Sequence, residues 1–383
     1  MIYLDYSANT PVDKDVLNRF AEVEGSFIGN CNSHHSAGRS AQNEMNLITT
    51  SIAEKLGVDP SEIIYTSGAS EANNLAIKGI ARASRHSGKH IISTPLEHSS
   101  VSAPLTNLQE QGYEIDLLEI KRDGTVSLEN LEELLRKDTI LVSVCAVDSE
   151  LGVVQPIKEI GQIVRKYPNC RFHVDATQAV GKTPLTFENV DALSFSSHKF
   201  YGLNGSGILF KRKELVIEPL IHGGRGTTIY RSGTPTLALA ASTEAALSSA
   251  IENLVERSAA VSERCAFLRK ELSKFPNVRF NSPESALPHI LNLSVSGVKG
   301  TDFQQALDKH GVCVSVKSAC SVENTPSRAV FAVSRDRKNA LSSWRISLSH
   351  LTSQEELSEF VRIFEICYKE LLNEQRIGNI STD

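Results

Sequence analysis

Short runs of β-branched and other apolar residues recur along the chain, separated by longer stretches with helical patterning. Residues 62–66, 90–93, 139–144, 171–174 and 207–210 read as strands, because compact clusters of Ile, Val and Leu suit a pleated, buried surface. Between and around them, residues 40–56, 128–137 and 157–166 read as helices. This alternation predicts an α/β fold with a mostly parallel sheet covered on both faces, in which ligands bind beyond the carboxyl ends of the strands. The polar and apolar mix of residues 239–274 predicts one or two long helices, followed by a turn at Phe275 to Asn277 and a β-rich segment from Pro288. A domain boundary near residue 255 follows from that change, and residues 378–383 read as a frayed tail.

Composition narrows the partners. A chain of 383 residues is long enough for a large core and two domains. Its 40 basic and 45 acidic side chains give a formal charge of −5, with no bulk attraction for nucleic acid or a membrane surface. A small soluble substrate is therefore expected. The first residues show no basic segment leading into an apolar stretch, so the expected location is cytoplasmic. The seven cysteines form no Cys-x-x-Cys pair and no Cys/His spacing of zinc type, which argues against a disulfide framework and a structural metal.

Chemistry enters with Lys199, in the run Ser196-Ser-His-Lys199, and with Asp175 at the end of a predicted strand upstream. Alone, each is an ordinary surface or turn residue. Together, with His198 beside the lysine and Gln178 three past the aspartate, they suit pyridoxal 5'-phosphate (PLP). A lysine amine forms a Schiff base with the cofactor aldehyde, and a carboxylate against the pyridine nitrogen keeps the ring able to take up carbanion charge. The segment 66–75 follows a strand and opens a helix; its small residues let backbone N–H groups approach a phosphate, with the Ser70 hydroxyl as a further donor. His98, after another strand, is placed to stack on the ring and carry protons.

Motifs in register along the chain carry a family resemblance: Tyr3-Leu-Asp-Tyr-Ser-Ala-Asn-Thr-Pro11, Thr66-Ser-Gly-Ala-Ser-Glu71, Glu97-His98, Glu150-Leu-Gly-Val-Val-Gln155, His173-Val-Asp-Ala-Thr-Gln178, Ser196-Ser-His-Lys199, Arg231-Ser-Gly-Thr234 and Ser318-Ala-Cys-Ser321. In this order they resemble the cysteine desulfurases of the NifS and IscS type, from the first residues to about residue 370. The resemblance implies the class V aminotransferase branch of the fold-type I PLP enzymes. Its expected architecture is a large domain, residues 12–255, with a mostly parallel, seven-stranded-type sheet between helices, and a smaller α+β domain from residues 1–11 and 256–383. A homodimer with active sites at the subunit interface is implied as well.

Position by position, the resemblance makes Lys199 the Schiff-base lysine, Asp175 the partner of the pyridinium nitrogen, Gln178 a contact to the ring oxygen and His98 the stacking residue and proton carrier. Ala69, Ser70, Ser196 and His198 match phosphate-binding positions, and Thr234 matches one that reaches the phosphate of the neighbouring subunit. Asn30 and Arg345 fall at substrate-binding positions, the arginine suiting a carboxylate that its planar fork can hold at both oxygens. Cys320, in the polar run from Lys317 to Pro326, matches the nucleophile that takes sulfur from L-cysteine as a persulfide and passes it to an acceptor protein, an iron–sulfur scaffold or a sulfur relay. Cys145 and Cys313 read instead as small buried hydrophobes.

Several positions depart from the pattern. Ser149 stands where an asparagine amide normally touches the cofactor, Ser197 replaces a glycine, Cys31 a proline and Lys317 a glycine, and residues 226–230 lack a usual Glu-Arg-Gly run. Three other activities stay open: a selenocysteine lyase, another class V transaminase, and a poorly active paralogue that works mainly through protein partners.

Overall fold

The computed structural model describes residues 1–224, 226–317 and 325–380, the last seven of these by backbone alone. Its centre is a seven-stranded sheet in the order Ile63–Thr66, Gly207–Lys211, Ala192–Ser196, Arg171–Asp175, Thr139–Cys145, His90–Ser93, Glu114–Leu117. Every pairing is parallel except those of Gly207–Lys211, which runs against both neighbours. Thr139–Cys145 is buried at all its positions, as a strand covered on both faces must be, and this is why it reads as a continuous apolar run.

Two strands of this sheet escape the pattern reading. Glu114–Leu117 lies at the sheet edge with its ends exposed, so acidic and apolar residues mix. Ala192–Ser196 is wholly buried yet carries serines, and the Ser194 hydroxyl is matched by the His173 ring at 2.9 Å. The helix expected from residue 40 begins earlier, at Ser36, where the His35 ring accepts the Gly38 N–H and caps it. The long apolar stretch resolves into two helices, Leu237–Glu252 and Leu254–Leu272.

Beyond residue 288 the chain is not β-rich. Ile290–Val295 pairs antiparallel with Val278–Phe280 and Ser343–Ser347, while Gly300–Lys309, Arg328–Ser334, Arg337–Ser342 and Gln354–Ile380 are helices. The last helix continues through residues 378–380, read from the sequence as tail. The amino-terminal strand Ile2–Tyr3 lies parallel to Val312–Cys313. Consequently Ile2 and Leu4 share a core with Leu268, Leu293, Trp344 and Phe364, separate from the cores around the large sheet. In that core the Phe303 and Trp344 rings stack with centroids 5.1 Å apart.

Candidate active site

The carboxyl ends of the parallel strands open into a cavity of about 350 Å³. Arg171–Asp175 ends there in Asp175, and Ala192–Ser196 delivers Ser196 before a single 3-10 turn, Ser197–Lys199, presents His198 and Lys199. Opposite, the loop Ser67 to Gly68 leads into the helix Ala69–Ala83, whose first N–H groups have no side-chain cap. Gly68 has φ +146°, a conformation that suits glycine, and a Cβ there would sit 3.3 Å from the Ser196 hydroxyl. The backbone of Gly207 presses against the same loop, leaving no room for a side chain.

Lys199 donates from Nζ to the Ser7 and Ala8 carbonyls at 2.7 and 2.6 Å, so the amino-terminal segment forms one wall. The Ser7 carbonyl also accepts from Gln178 Nε2 at 2.9 Å. Asp175 is held on two sides. Its Oδ1 accepts the Thr177 N–H and hydroxyl at 2.9 and 2.5 Å, and its Oδ2 accepts from Asn73 Nδ2 at 2.8 Å. Asn73 Nδ2 also reaches the Ser100 hydroxyl at 2.9 Å, linking the aspartate to the turn that carries His98. His98 Nδ1 accepts the Ser100 N–H at 3.1 Å, so the neutral ring carries its proton on Nε2. Burial holds that ring below the usual imidazole range, and burial with the nearby Lys199 and Lys182 charges pushes His198 down to about 4.

Arg345, only 2% exposed, also faces the cavity. Its guanidinium donates to Asp5 Oδ1 at 2.9 Å and to the Ser149 carbonyl at 2.7 Å, while Nε has no partner among the described residues. Ser149 thus contributes its backbone as well as lining the cavity. Ala69, Ser70 and Gln178 complete the expected set present there.

Asn30 and Thr234 do not line the cavity of this chain; both are exposed. The Arg231 side chain of the Thr234 run is nevertheless fixed to the first turn of the cavity helix by an ion pair with Glu71 at 2.9 Å. Cys320 lies outside the described residues. At the two ends of its segment, Lys317 Nζ donates to the Thr325 carbonyl at 2.8 Å. Cys313 is half-buried rather than buried, whereas Cys145 is buried and lines the cavity. Burial and the carboxylates of Glu97, Asp148 and Asp175 push the Cys145 thiol far up, which makes it a poor nucleophile.

The sequence reading missed Asn73, Thr177 and the carbonyls of Ser7 and Ala8. Thr177 had a signal, since a hydroxyl two residues past an aspartate commonly closes on it. Asn73 and the two carbonyls act only through the tertiary fold.

These groups fit PLP. An uncapped helix start beside Gly68 and Ser196 suits its phosphate, a glycine surface that a Cβ would fill lets the loop close on it, Asp175 suits the ring nitrogen and Lys199 the aldehyde. Fold and cavity therefore define a PLP enzyme. Residues 2–360 match the aminotransferase class V family, to which the chain belongs. Among its relatives, a cysteine desulfurase IscS of Pectobacterium carotovorum is 38% identical over 94% of this chain and 91% of its own length. A solved NifS-like protein superposes with TM-score 0.89 at 34% identity, covering 95% of this chain and 98% of its own. A structure described as SspA in complex with cysteine gives TM-score 0.80 at 32% identity, covering 92% and 100%.

Proposed function

We propose that this enzyme is a cysteine desulfurase, converting L-cysteine to L-alanine and leaving the sulfur on Cys320 as a persulfide. The observation that carries this reading is the backbone pairing of Arg345 with Ser315, whose N–H···O bonds measure 2.6 and 3.2 Å. Arg345 is the residue suited to the substrate carboxylate, and Cys320 follows Ser315 by five residues, at most about 17 Å of chain. The sequence therefore keeps the proposed acceptor thiol within that length of chain of the group that would anchor the amino acid. Relatives named as cysteine desulfurases support the same reading.

Bound in the cavity, PLP supplies an aldehyde for amine capture and an electron-accepting ring. Lys199 holds and moves the substrate Cα proton, and Asp175, fixed by Asn73 and Thr177, would pair with the ring nitrogen. His98 takes up or returns thiol protons at Nε2. Arg345, which lines the cavity, fixes the carboxylate. The Cys320 thiolate attacks the substrate sulfur; the new S–S bond forms as the C–S bond breaks. The C–S electron pair stays with carbon, which gains a proton to become the alanine methyl. A sulfur-acceptor protein then takes the outer sulfur.

Thr234, exposed and away from its own chain's cavity, is available to a second copy, so the working unit of this reading is a homodimer. A cytoplasmic site of action belongs to the same proposal, and no described helix is long and apolar enough to cross a membrane.

The test is incubation of purified enzyme with L-cysteine, following alanine and protein-bound labelled sulfur, with sedimentation on the same preparation. Expected are equal yields of alanine and persulfide, label on Cys320, and loss of both in Cys320→Ser. Label on Cys313, undiminished desulfuration by the variant, or full activity in a monomer would overturn the reading. Alanine from selenocysteine but not from cysteine would favour the lyase.

A further inference from the structure

Lys182 lies in no sequence motif of the site, yet its amine is buried one hydrogen bond from the cavity. It follows Gln178 by four residues in a segment of turns, and Gly181, at φ +72°, reverses the chain so that the lysine side chain reaches back to Gln178. A Cβ at Gly181 would meet the Ala250 Cβ at 2.9 Å, so the turn is closely packed. Lys182 Nζ donates to Gln178 Oε1 at 2.7 Å. On its other side lie Lys199 and His289, whose Nδ1 has no partner among the described residues. Among the described residues no carboxylate forms an ion pair with this lysine, and the nearby charges are the cations Lys199 and Arg345. A buried amine in such company is a liability for stability, and its side-chain contact is to the Gln178 amide.

We infer that Lys182 is a positioning residue for the cofactor site, fixing the Gln178 amide so that its N–H edge faces the cavity. With Oε1 taken by Lys182, Nε2 must lie against the Ser7 carbonyl, where it is found at 2.9 Å, and its second hydrogen is left for the cavity. The reversed amide would set the Oε1 acceptor against the Ser7 carbonyl acceptor whatever the state of the lysine, and the Nε2 donor against the Lys182 ammonium when that is protonated. Burial beside Lys199 and Arg345 holds the Lys182 amine down to about 7, yet it keeps N–H donors in either protonation state. The inference rests on the reading of Gln178 as the contact to the PLP ring oxygen.

The test measures the affinity of the full-length chain, stripped of cofactor, for PLP and for 3-deoxypyridoxal 5'-phosphate, which lacks that oxygen. Wild type, Gln178→Ala and Lys182→Met are compared, with Lys182→Leu as a second apolar replacement should the first not fold. Wild type is expected to prefer PLP about tenfold, the scale of one hydrogen bond. In the lysine variant the preference should collapse to that of Gln178→Ala, with affinity for the deoxy compound nearly unchanged. A preserved preference, or equal weakening for both compounds, would overturn the positioning role in favour of simple packing. If Gln178→Ala itself keeps the wild-type preference, the Gln178 reading fails and takes the inference with it.

Discussion

Asp175 illustrates what a single side chain needs in order to serve a cofactor. Its carboxylate is buried, and three donors from Thr177 and Asn73 fix both oxygens in place. Lys199 and Asp175 were legible in the sequence because a polar residue at a strand end must go somewhere, and in α/β folds that place is the ligand crevice. Asn73 was not, since an asparagine inside a helix reads like any solvated position until the fold buries it against another strand. We expect Asn73→Ala to weaken PLP binding by about 1.5–3 kcal/mol, the scale of a hydrogen bond to a charged group. Titration of stripped protein with PLP measures it, and an unchanged dissociation constant would show that Thr177 alone suffices to hold the carboxylate.

At the level of elements, the site depends on one strand running the wrong way. Gly207–Lys211 is inserted antiparallel between Ile63–Thr66 and Ala192–Ser196, and its first residue packs its backbone under the loop that opens the helix Ala69–Ala83. The buried strands were visible as apolar runs, whereas this reversal was not, because direction leaves no mark on the pattern of a strand covered on both faces. A Cβ on Gly207 would come within 2.6 Å of both the Gly68 Cα and the Phe195 carbonyl oxygen. Both obstacles are backbone, so Gly207→Ala must displace the loop or the strand. The expected result is a loss of about 1–3 kcal/mol in stability, the range for overpacking, and poor retention of PLP through gel filtration. A variant that keeps its cofactor at wild-type stoichiometry would mean that the loop has slack the geometry does not suggest.

Across the whole molecule the two ends of the chain meet at the site. Asp5 pairs with Arg345 and accepts the Ser315 hydroxyl at 2.7 Å, and Ser7 and Ala8 supply the carbonyls that hold Lys199. Such closure buries acids as well as bases. Glu97 takes the Thr94 hydroxyl and the Cys145 N–H on Oε1, but its Oε2 has no partner among the described residues, and burial raises its carboxyl from 4.5 to about 8. The folded chain therefore holds a proton on Glu97 in a pH range where the unfolded chain has released it. Stability falls with rising pH wherever the native state binds more protons, so this group weakens the fold progressively between about pH 4.5 and pH 8. Glutamine keeps the shape without the titration. The melting temperature of Glu97→Gln minus that of wild type should accordingly climb from pH 4.5 to about pH 8 and then level off. Thermal melts of both proteins in matched buffers across that range provide the measurement. A difference that stays flat with pH would mean that Glu97 ionises normally in the folded state, and that a water or a shift of Arg328, which already donates to the Glu97 carbonyl at 3.3 Å, solvates it.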